Sequence, residues 1–144
     1  MMEINTAKYA SEELLAQVNH LLPQLSSSAP SMTREQLENF LDSSAITLFV
    51  ATNEGRIVGI LTLAMFPIPT GIRAWIEDVV VDANARGLGA GALLTTTAIE
   101  HARRHGAVTV DLTSRPAREA ANSLYRKIGF VQRDTNVYRF TLDG

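Results

Sequence analysis

Three glycines within five residues follow a strand-like apolar run that ends at Val81 and open a helical pattern that continues to His105. Glycine lets a backbone approach a ligand closely, and the unpaired N–H groups and positive dipole end of a helix attract anions. A helix cap without a ligand does not need so many glycines. The sequence therefore predicts an anion site, suited to a pyrophosphate, formed by Arg86, Gly87, Leu88, Gly89, Ala90 and Gly91.

A dinucleotide is a second ligand that this glycine segment could bind. Gly87, Gly89 and Ala92 match the pattern G-x-G-x-x-A, and Asp111 stands about 20 residues further on, where a ribose-binding carboxylate belongs. Against this interpretation, residues 82–86 separate the glycines from the preceding strand, and that strand is predicted to lie in an antiparallel meander. The roughly 50 residues that follow are too few to complete a doubly wound sheet. The dinucleotide therefore stays the less favoured alternative.

Glu77 and Asp78 are the carboxylates inside the strand that precedes the glycine segment, and they are the candidate proton acceptors. Carboxylates in a strand that is buried on both sides are costly unless they have partners or a function. Neighbouring residues point to opposite faces, and we favour Glu77 because it lies two residues before Val79, so that both side chains lean to one face. A bulge between Glu77 and Val79 would upset this facing. Asp78, an ordered water, or simple pairing with arginines remain alternatives.

His101 and His105 stand four residues apart on the predicted helix, a spacing that can bind a metal ion. However, Arg103 and Arg104 lie between them, and the dipole at a helix C-terminus favours such basic side chains without any ligand. Metal binding is therefore not expected.

The hydrophobic pattern predicts the elements that must position these residues. In chain order they are a short strand near Ile4, helices over 11–22 and 34–41, strands over 47–52, 57–65 and 74–81, a helix over 89–105, a strand over 108–113, a helix over 116–128 and a strand over 137–142. The first helix is expected to end before Pro23, and Thr33 with Gln36 forms a capping box on the second. Asn53–Arg56 is a hairpin turn, and Pro67–Gly71 is a loop. This order predicts an α/β fold, a mixed α+β arrangement with a central, mostly antiparallel sheet and helices on both faces.

Length and composition predict one domain over residues 1–144. No segment reaches the ~20 apolar residues of a membrane helix, and the N-terminus lacks the pattern of a secretory signal. The net charge of −2 gives no general attraction to nucleic acid or anionic lipid. The chain has no cysteine, which excludes a disulfide, a thiolate zinc site and a cysteine nucleophile. We therefore expect a cytoplasmic protein that binds neither nucleic acid nor a membrane.

Residues 86–91 read Arg-Gly-Leu-Gly-Ala-Gly, and residues 122–130 read Asn-Ser-Leu-Tyr-Arg-Lys-Ile-Gly-Phe. The first segment resembles the R/Q-x-x-G-x-G/A acetyl-CoA motif of the GNAT superfamily of N-acetyltransferases, and the second resembles that family's later N-x-x-Y-x-x-x-G-F motif. The order and spacing of the two motifs and the elements between them also fit, and the resemblance runs from about Thr47 to the C-terminus. It implies a GNAT-like acetyltransferase fold and a single N-acetyltransferase domain.

The resemblance also implies contacts with acetyl-CoA. The backbone around Val79 and Val81 would bind the pantetheine arm in the manner of an added strand, and the amides of the glycine segment would bind the pyrophosphate. Asn122 would contact the CoA arm, and Tyr125 would lie near the thioester sulfur. Asn122 and Tyr125 are three residues apart on one predicted helix and so share a face.

The function that this resemblance implies is transfer of the acetyl group of acetyl-CoA to a primary amine. Without a cysteine, and without a serine in a nucleophile elbow, direct attack by the amine in a ternary complex is favoured over an acyl-enzyme. The Val79 N–H would stabilise the oxyanion, and Tyr125 would donate a proton to the thiolate. Glu77, Asp78 or an ordered water would accept the proton of the amine. A non-catalytic acyl-CoA-binding sensor remains the alternative.

The acceptor is not specified by the motifs. A small-molecule amine, an amino sugar or a peptide N-terminus fits equally, and its selection is expected to depend on the first two helices, the Pro67–Gly71 loop, Trp75 and the last strand. Arg115 or Arg118 could bind a CoA phosphate or an acidic substrate. Whether the chain forms a homodimer is left open.

Overall fold

The computed structural model describes residues 1–143, which fall into two units, Met1–Thr113 and the segment that begins at Ser114. The first unit contains the strands β1 (Met2–Ala7), β2 (Ile46–Asn53), β3 (Arg56–Ile68), β4 (Gly71–Val81) and β5 (Ala107–Asp111), the helices α1 (Glu12–Leu25), α2 (Arg34–Asp42) and α3 (Ala90–Arg104), and a short 3₁₀ turn, Ala83–Ala85. The second unit contains α4 (Glu119–Ile128). The expectation of one domain over the whole chain stays a prediction.

The five strands of the first unit form one sheet in the order β1-β2-β3-β4-β5. The pairs from β1 to β4 are antiparallel, whereas β5 runs parallel to β4. Parallel neighbours need a long crossover connection, and α3 provides it. The predicted mixed, mostly antiparallel sheet is confirmed. Within residues 1–143, none of the helices has the length and apolarity that a membrane crossing requires.

Helices cover both faces of this sheet. Successive residues of a strand point to opposite faces, and on β2 the two sides have different partners. Val50 lies in a buried cluster with Leu14 of α1 and Leu37 of α2. Phe49, the preceding residue, packs edge-on against His101 of α3, with the ring centroids 5.3 Å apart. The α1 and α2 helices therefore cover one face, and α3 covers the other.

The α3 helix approaches the sheet closely at Gly59 of β3. A Cβ atom at this position would lie 3.2 Å from the Val80 carbonyl oxygen and 3.3 Å from Leu94 Cδ1 of α3. Protein interiors have few gaps that could absorb such an atom. Glycine at this position therefore permits the packing distance between α3 and the sheet.

Two local signals in the sequence are confirmed. Glu54 and Gly55 form the turn between β2 and β3, with φ of 52° and 80°, which is the left-handed pair that a type I′ hairpin requires. Thr33 Oγ1 accepts a hydrogen bond from the Gln36 N–H at 3.1 Å, and Gln36 Oε1 accepts one from the Thr33 N–H at 2.8 Å. These reciprocal bonds are the predicted capping box of α2.

Pro23 and Pro67 were predicted to lie outside regular elements, and both predictions are wrong. Pro23 is within α1, and Leu25 beyond it still packs against the buried cluster. Pro67 is within β3 and pairs with Ile72. The extended backbone of a strand is compatible with the fixed φ of proline, so the connection between β3 and β4 is shorter than the predicted loop.

The prediction of a last strand over Val137–Leu142 is wrong. The structure has no strand there, and the apolar side chains of this segment are exposed, with Tyr138 at 88%. A strand is stable only when a neighbouring strand satisfies its backbone groups, and an alternating sequence pattern does not supply that neighbour. The last helix also starts later than predicted, at Glu119 and not at Pro116.

Candidate active site

A β-bulge interrupts β4 just before the glycine segment. Ile60 of β3 pairs with Val80, and Thr62 pairs with Glu77, so two residues of β4 lie opposite a single residue of β3. Asp78, the first of the two, has φ of 49°. Aspartate is one of the few residues besides glycine that enters this left-handed region readily. The strand is therefore bent at the point where the candidate carboxylates lie.

This bulge changes the facing that was predicted for Glu77. Directly opposed residues of an antiparallel pair share a face, and so do Ile60 and Thr62, which are two apart on β3. Glu77 therefore shares a face with Val80 and not with Val79. The premise that Glu77 and Val79 lean to one face is wrong, because the extra residue shifts the alternation by one. The catalytic role of Glu77 itself stays a prediction.

Glu77 and Asp78 are both exposed, so the expectation that the strand is buried on both sides here is also wrong. The parallel pairing between β4 and β5 runs only as far as Trp75 and Asp111. Beyond that pair, β4 has lost the neighbour that would have enclosed the two carboxylates. Burial therefore gives no argument for their function, and their exposure leaves both within reach of a molecule that arrives from solvent.

The same divergence of β5 from β4 leaves an open edge. From Ile76 to Val81, apart from the two bulge residues, the main chain of β4 pairs with β3 on one side, and among residues 1–143 no strand pairs with it on the other side. Unpaired main-chain groups of this kind can bind an extended ligand in the manner of an added strand. Val79 and Val81, the two residues predicted to bind a pantetheine arm, lie on this edge and are partly exposed.

The glycine segment forms the N-terminus of α3. Gly87 and Gly89 have φ of 86° and 85°, and a Cβ atom on either would meet no atom within 4 Å. Glycine is therefore required here by the left-handed backbone and not by lack of space. Within residues 1–143 no side chain caps α3, whose first hydrogen bond joins the Leu93 N–H to the Gly89 carbonyl at 3.0 Å. The amides of the first turn, including Ala90 and Gly91, precede that bond and are suited to an anion.

A short turn fixes the start of the glycine segment. Asp82 Oδ1 accepts a hydrogen bond from the Asn84 N–H at 3.1 Å, and the Asp82 N–H donates to the Val58 carbonyl at 2.7 Å. The bond from Asn84 is the main cause that holds the pKa of Asp82 below its ordinary value; burial opposes it and His20 supports it. This turn was not predicted, although an aspartate two residues before the amide that it binds is the sequence signal of an Asx turn.

The two residues predicted on the last helix lie on one face of α4. Asn122 Nδ2 donates a hydrogen bond to the Arg115 carbonyl at 3.0 Å. The Tyr125 ring packs edge-on against Phe130, with the ring centroids 5.7 Å apart. Burial raises the pKa of the Tyr125 hydroxyl, and the positive charge of Arg118 partly opposes this effect. Tyr125 is therefore held in place by packing and keeps its proton at neutral pH.

The predicted site residues fall into two groups. Glu77, Asp78, Val79, Val81 and the segment Arg86–Gly91 lie on one continuous stretch of the first unit, from the β4 bulge to the start of α3. The two residues predicted on α4 belong to the second unit. The first group forms a connected candidate site by itself, composed mainly of backbone groups.

The histidine pair of α3 is a stacked pair. The rings of His101 and His105 lie 4.1 Å apart and nearly parallel, and His105 Nδ1 is 2.8 Å from the His101 carbonyl oxygen. Burial lowers the pKa of His101, and the charges of His105 and Arg104 add to that effect. In the part of the chain that the structure describes, no group of three or more histidine, cysteine or acidic side chains is placed to hold a metal ion.

A glycine-bearing helix N-terminus that follows a bulged, open-edged strand is compatible with more than one anionic ligand, and comparison with known proteins decides the family. A sequence model of the Acetyltransferase (GNAT) family matches residues 14–130. The chain belongs to the GNAT acetyltransferase family. The match includes the β4 bulge, the glycine segment and the whole motif at 122–130.

Individual GNAT relatives differ in how much they share with this chain. A mycothiol acetyltransferase of Paenarthrobacter aurescens is 35% identical, over 74% of this chain and 35% of the relative. A glucosamine 6-phosphate N-acetyltransferase of Oryza sativa is 39% identical, over 43% of this chain and 36% of the relative. An acetyltransferase of Trypanosoma brucei superposes with a TM-score of 0.81 at 30% identity, covering 99% of this chain and 100% of the other. The chain thus spans about one third of the length of the curated relatives that it matches.

Proposed function

We propose that this chain is an acetyl-CoA-dependent N-acetyltransferase in which an amine attacks the thioester directly within a ternary complex. The observation that carries the proposal is the continuous stretch from the β4 bulge to the α3 N-terminus. It offers unpaired main-chain groups first along an open strand edge and then at the start of an uncapped helix. These are the groups that an extended amide arm and a pyrophosphate require. Membership of the GNAT family supports the same assignment.

Binding of acetyl-CoA is assigned mainly to the backbone. The first-turn amides of α3 bind the pyrophosphate, and the exposed Arg86 adds positive charge beside it. The main chain at Val79 and Val81 binds the pantetheine arm, so the side chains there need only be apolar. Asn122 is assigned to the CoA arm by the family pattern alone.

The chemistry is assigned to groups around the bulge. Acetyl-CoA supplies the thioester carbonyl carbon that the amine attacks. Neither Asp78 nor Val79 has a partner in the register with β3, which supports the Val79 N–H as a donor that stabilises the developing oxyanion. Glu77 accepts the proton of the amine directly or through a water, and its exposure lets a charged ammonium group approach it.

Tyr125 is assigned the role of proton donor to the departing thiolate, and the Tyr125→Phe variant tests this role. The change removes the hydroxyl and keeps the ring that packs on Phe130, so kcat should fall by about 10- to 10³-fold while the KM for acetyl-CoA stays nearly constant. Because the pKa of Tyr125 is raised, ionisation of this phenol should cause no loss of wild-type activity below about pH 10. Thiol release by the variant and by wild type, measured from neutral pH to about pH 10, checks the fall in kcat and the pH dependence. A variant with unchanged kcat would make Tyr125 a packing residue.

The proposed acceptor is a primary amine, and amino sugars are the first class to test, because one relative is by name an acetyltransferase of glucosamine 6-phosphate. A panel of amino sugars, their phosphates, small amines and peptides with free N-termini is incubated with the protein and acetyl-CoA, and thiol release is followed. We expect release that depends on one class of amine. If acetyl-CoA stabilises the protein but no amine of the panel causes thiol release, the acyl-CoA sensor would be favoured. Stabilisation by NAD and not by acetyl-CoA would favour the dinucleotide site.

A further inference from the structure

Two side chains of α1 contact the turn from which the glycine segment begins. Gln24 Oε1 accepts a hydrogen bond from the Ala83 N–H at 2.8 Å. His20 Nε2 lies 3.1 Å from Asp82 Oδ2. Residues four apart on a helix share a face, so both contacts come from one side of α1. They join positions 59 and 62 residues apart in the sequence.

The hydrogen on His20 can be assigned from its partners. His20 Nε2 lies 3.1 Å from the Asp82 carboxylate and 3.5 Å from Gln24 Nε2. A carboxylate only accepts hydrogen bonds, so Nε2 must carry a hydrogen and cannot also accept one from the amide of Gln24. His20 Nε2 therefore donates its hydrogen bond to Asp82. Gln24 contacts the turn through Oε1, which accepts from the Ala83 N–H.

The turn that these side chains hold determines where the glycine segment starts. Ala85 at its end is buried, and the residues from Arg86 to Gly89 are exposed until α3 begins. The segment is thus fixed at one end by the turn and at the other by α3. Loss of the α1 contacts would loosen the first of these ends, although the bonds of Asp82 with Asn84 and Val58 would remain.

We propose that Gln24, assisted by His20, is a positioning residue that holds the turn Ala83–Ala85 so that the glycine segment is preorganised for a pyrophosphate. This role rests on the proposed function, because it presumes a pyrophosphate-containing ligand. Gln24 is the main contributor, since its bond to a backbone amide is direct. The His20 side chain is 53% exposed, and an ion pair of that exposure contributes little.

Gln24→Leu tests the proposal, because it removes the acceptor oxygen and keeps a similar side-chain volume. Gln17→Leu is the matched control: Gln17 is also on α1 and also bonds a backbone group, donating to the Ile57 carbonyl at 3.3 Å, but that group lies on β3 and not on the turn. The dissociation constant of CoA, measured by calorimetry, should rise about 3- to 10-fold in Gln24→Leu and stay within about twofold in Gln17→Leu. The melting temperatures of the two variants should be similar.

A second donor distinguishes positioning from general loss of structure. S-acetylpantetheine carries the thioester and the amide arm but no pyrophosphate. The decrease of kcat/KM in Gln24→Leu should appear with acetyl-CoA and be absent with S-acetylpantetheine, with kcat for acetyl-CoA nearly unchanged. Equal CoA affinity in Gln24→Leu and Gln17→Leu, or equal decreases for the two donors, would overturn the positioning role while the proposed function stood. Wild-type protein that does not bind CoA would instead overturn the proposed function, and the positioning role with it.

Discussion

Replacing Gly89 with glutamate should abolish the thermal stabilisation of this protein by acetyl-CoA. Gly89 precedes the first turn of α3, where no side chain of the described residues caps the free amides. A glutamate there would present a carboxylate to those amides, compete with the pyrophosphate and repel it. The residue would also have to adopt φ near 85°, at a cost of roughly 1–2 kcal/mol. The measurement is the shift in melting temperature with acetyl-CoA, which should be clear in wild type and absent in the variant.

Gly55→Glu is the matched control for this change. Gly55 has φ of 80° and, like Gly89, would place a Cβ atom in open space. It lies in the turn between β2 and β3, so the same charge and a similar backbone strain are introduced outside the glycine segment. This variant should be somewhat less stable than wild type and should keep the full acetyl-CoA shift. A Gly89→Glu protein that acetyl-CoA stabilises as strongly as wild type would disprove the anion site.

Features that depend on neighbouring residues could be predicted from the sequence. The type I′ turn at Glu54 and Gly55 and the capping box of Thr33 and Gln36 are set by residue types within a few positions of each other. The order of helices and strands along the chain as far as β5 was also predictable, because the hydrophobic period changes from helix to strand and back. The glycine segment was recognisable because left-handed backbone at a helix start restricts the choice of residue.

Features that depend on a distant partner could not be predicted in the same way. The segment Val137–Leu142 has the alternation of a strand, but the pattern does not say whether another strand will pair with it. The exposure of Glu77 follows from where β5 leaves β4, which is a property of two elements together. The packing of Leu25 against the core, which keeps Pro23 inside α1, is likewise a tertiary contact. Each error comes from applying a local rule where tertiary packing decides.

The candidate site shows the same division. The backbone segments that would bind acetyl-CoA can be recognised in the sequence as motifs. The bulge at Asp78 cannot, because it depends on the register between β3 and β4. No glycine marks the bulge in the sequence, because aspartate tolerates the left-handed conformation. Gln24 and His20 carry no signal at all, since their contacts with the turn exist only after α1 has packed on the sheet.

Glu77→Gln should lower kcat far more than Asp78→Asn. If Glu77 accepts the proton of the amine, directly or through a water, the isosteric amide cannot replace it, and kcat should fall by about 10²- to 10⁴-fold. The acidic limb of the pH–rate profile should disappear in the same variant. Both side chains are exposed, so neither change should alter the fold by creating a cavity or by leaving a buried charge unpaired. The rates are measured with the amine that the acceptor panel identifies.

Asp78→Asn is the matched control, because asparagine keeps both the shape of the side chain and the tolerance for φ near 49° that the bulge requires. Its kcat should stay within about threefold of wild type, with the acidic limb in place. The two side chains need not point to the same face of the sheet, because Glu77 pairs with Thr62 whereas Asp78 lies in the bulge. A large loss in Asp78→Asn with none in Glu77→Gln would assign proton transfer to the bulged residue. Wild-type rates and pH profiles in both variants would mean that the amine arrives deprotonated and that catalysis depends on positioning and the Val79 amide.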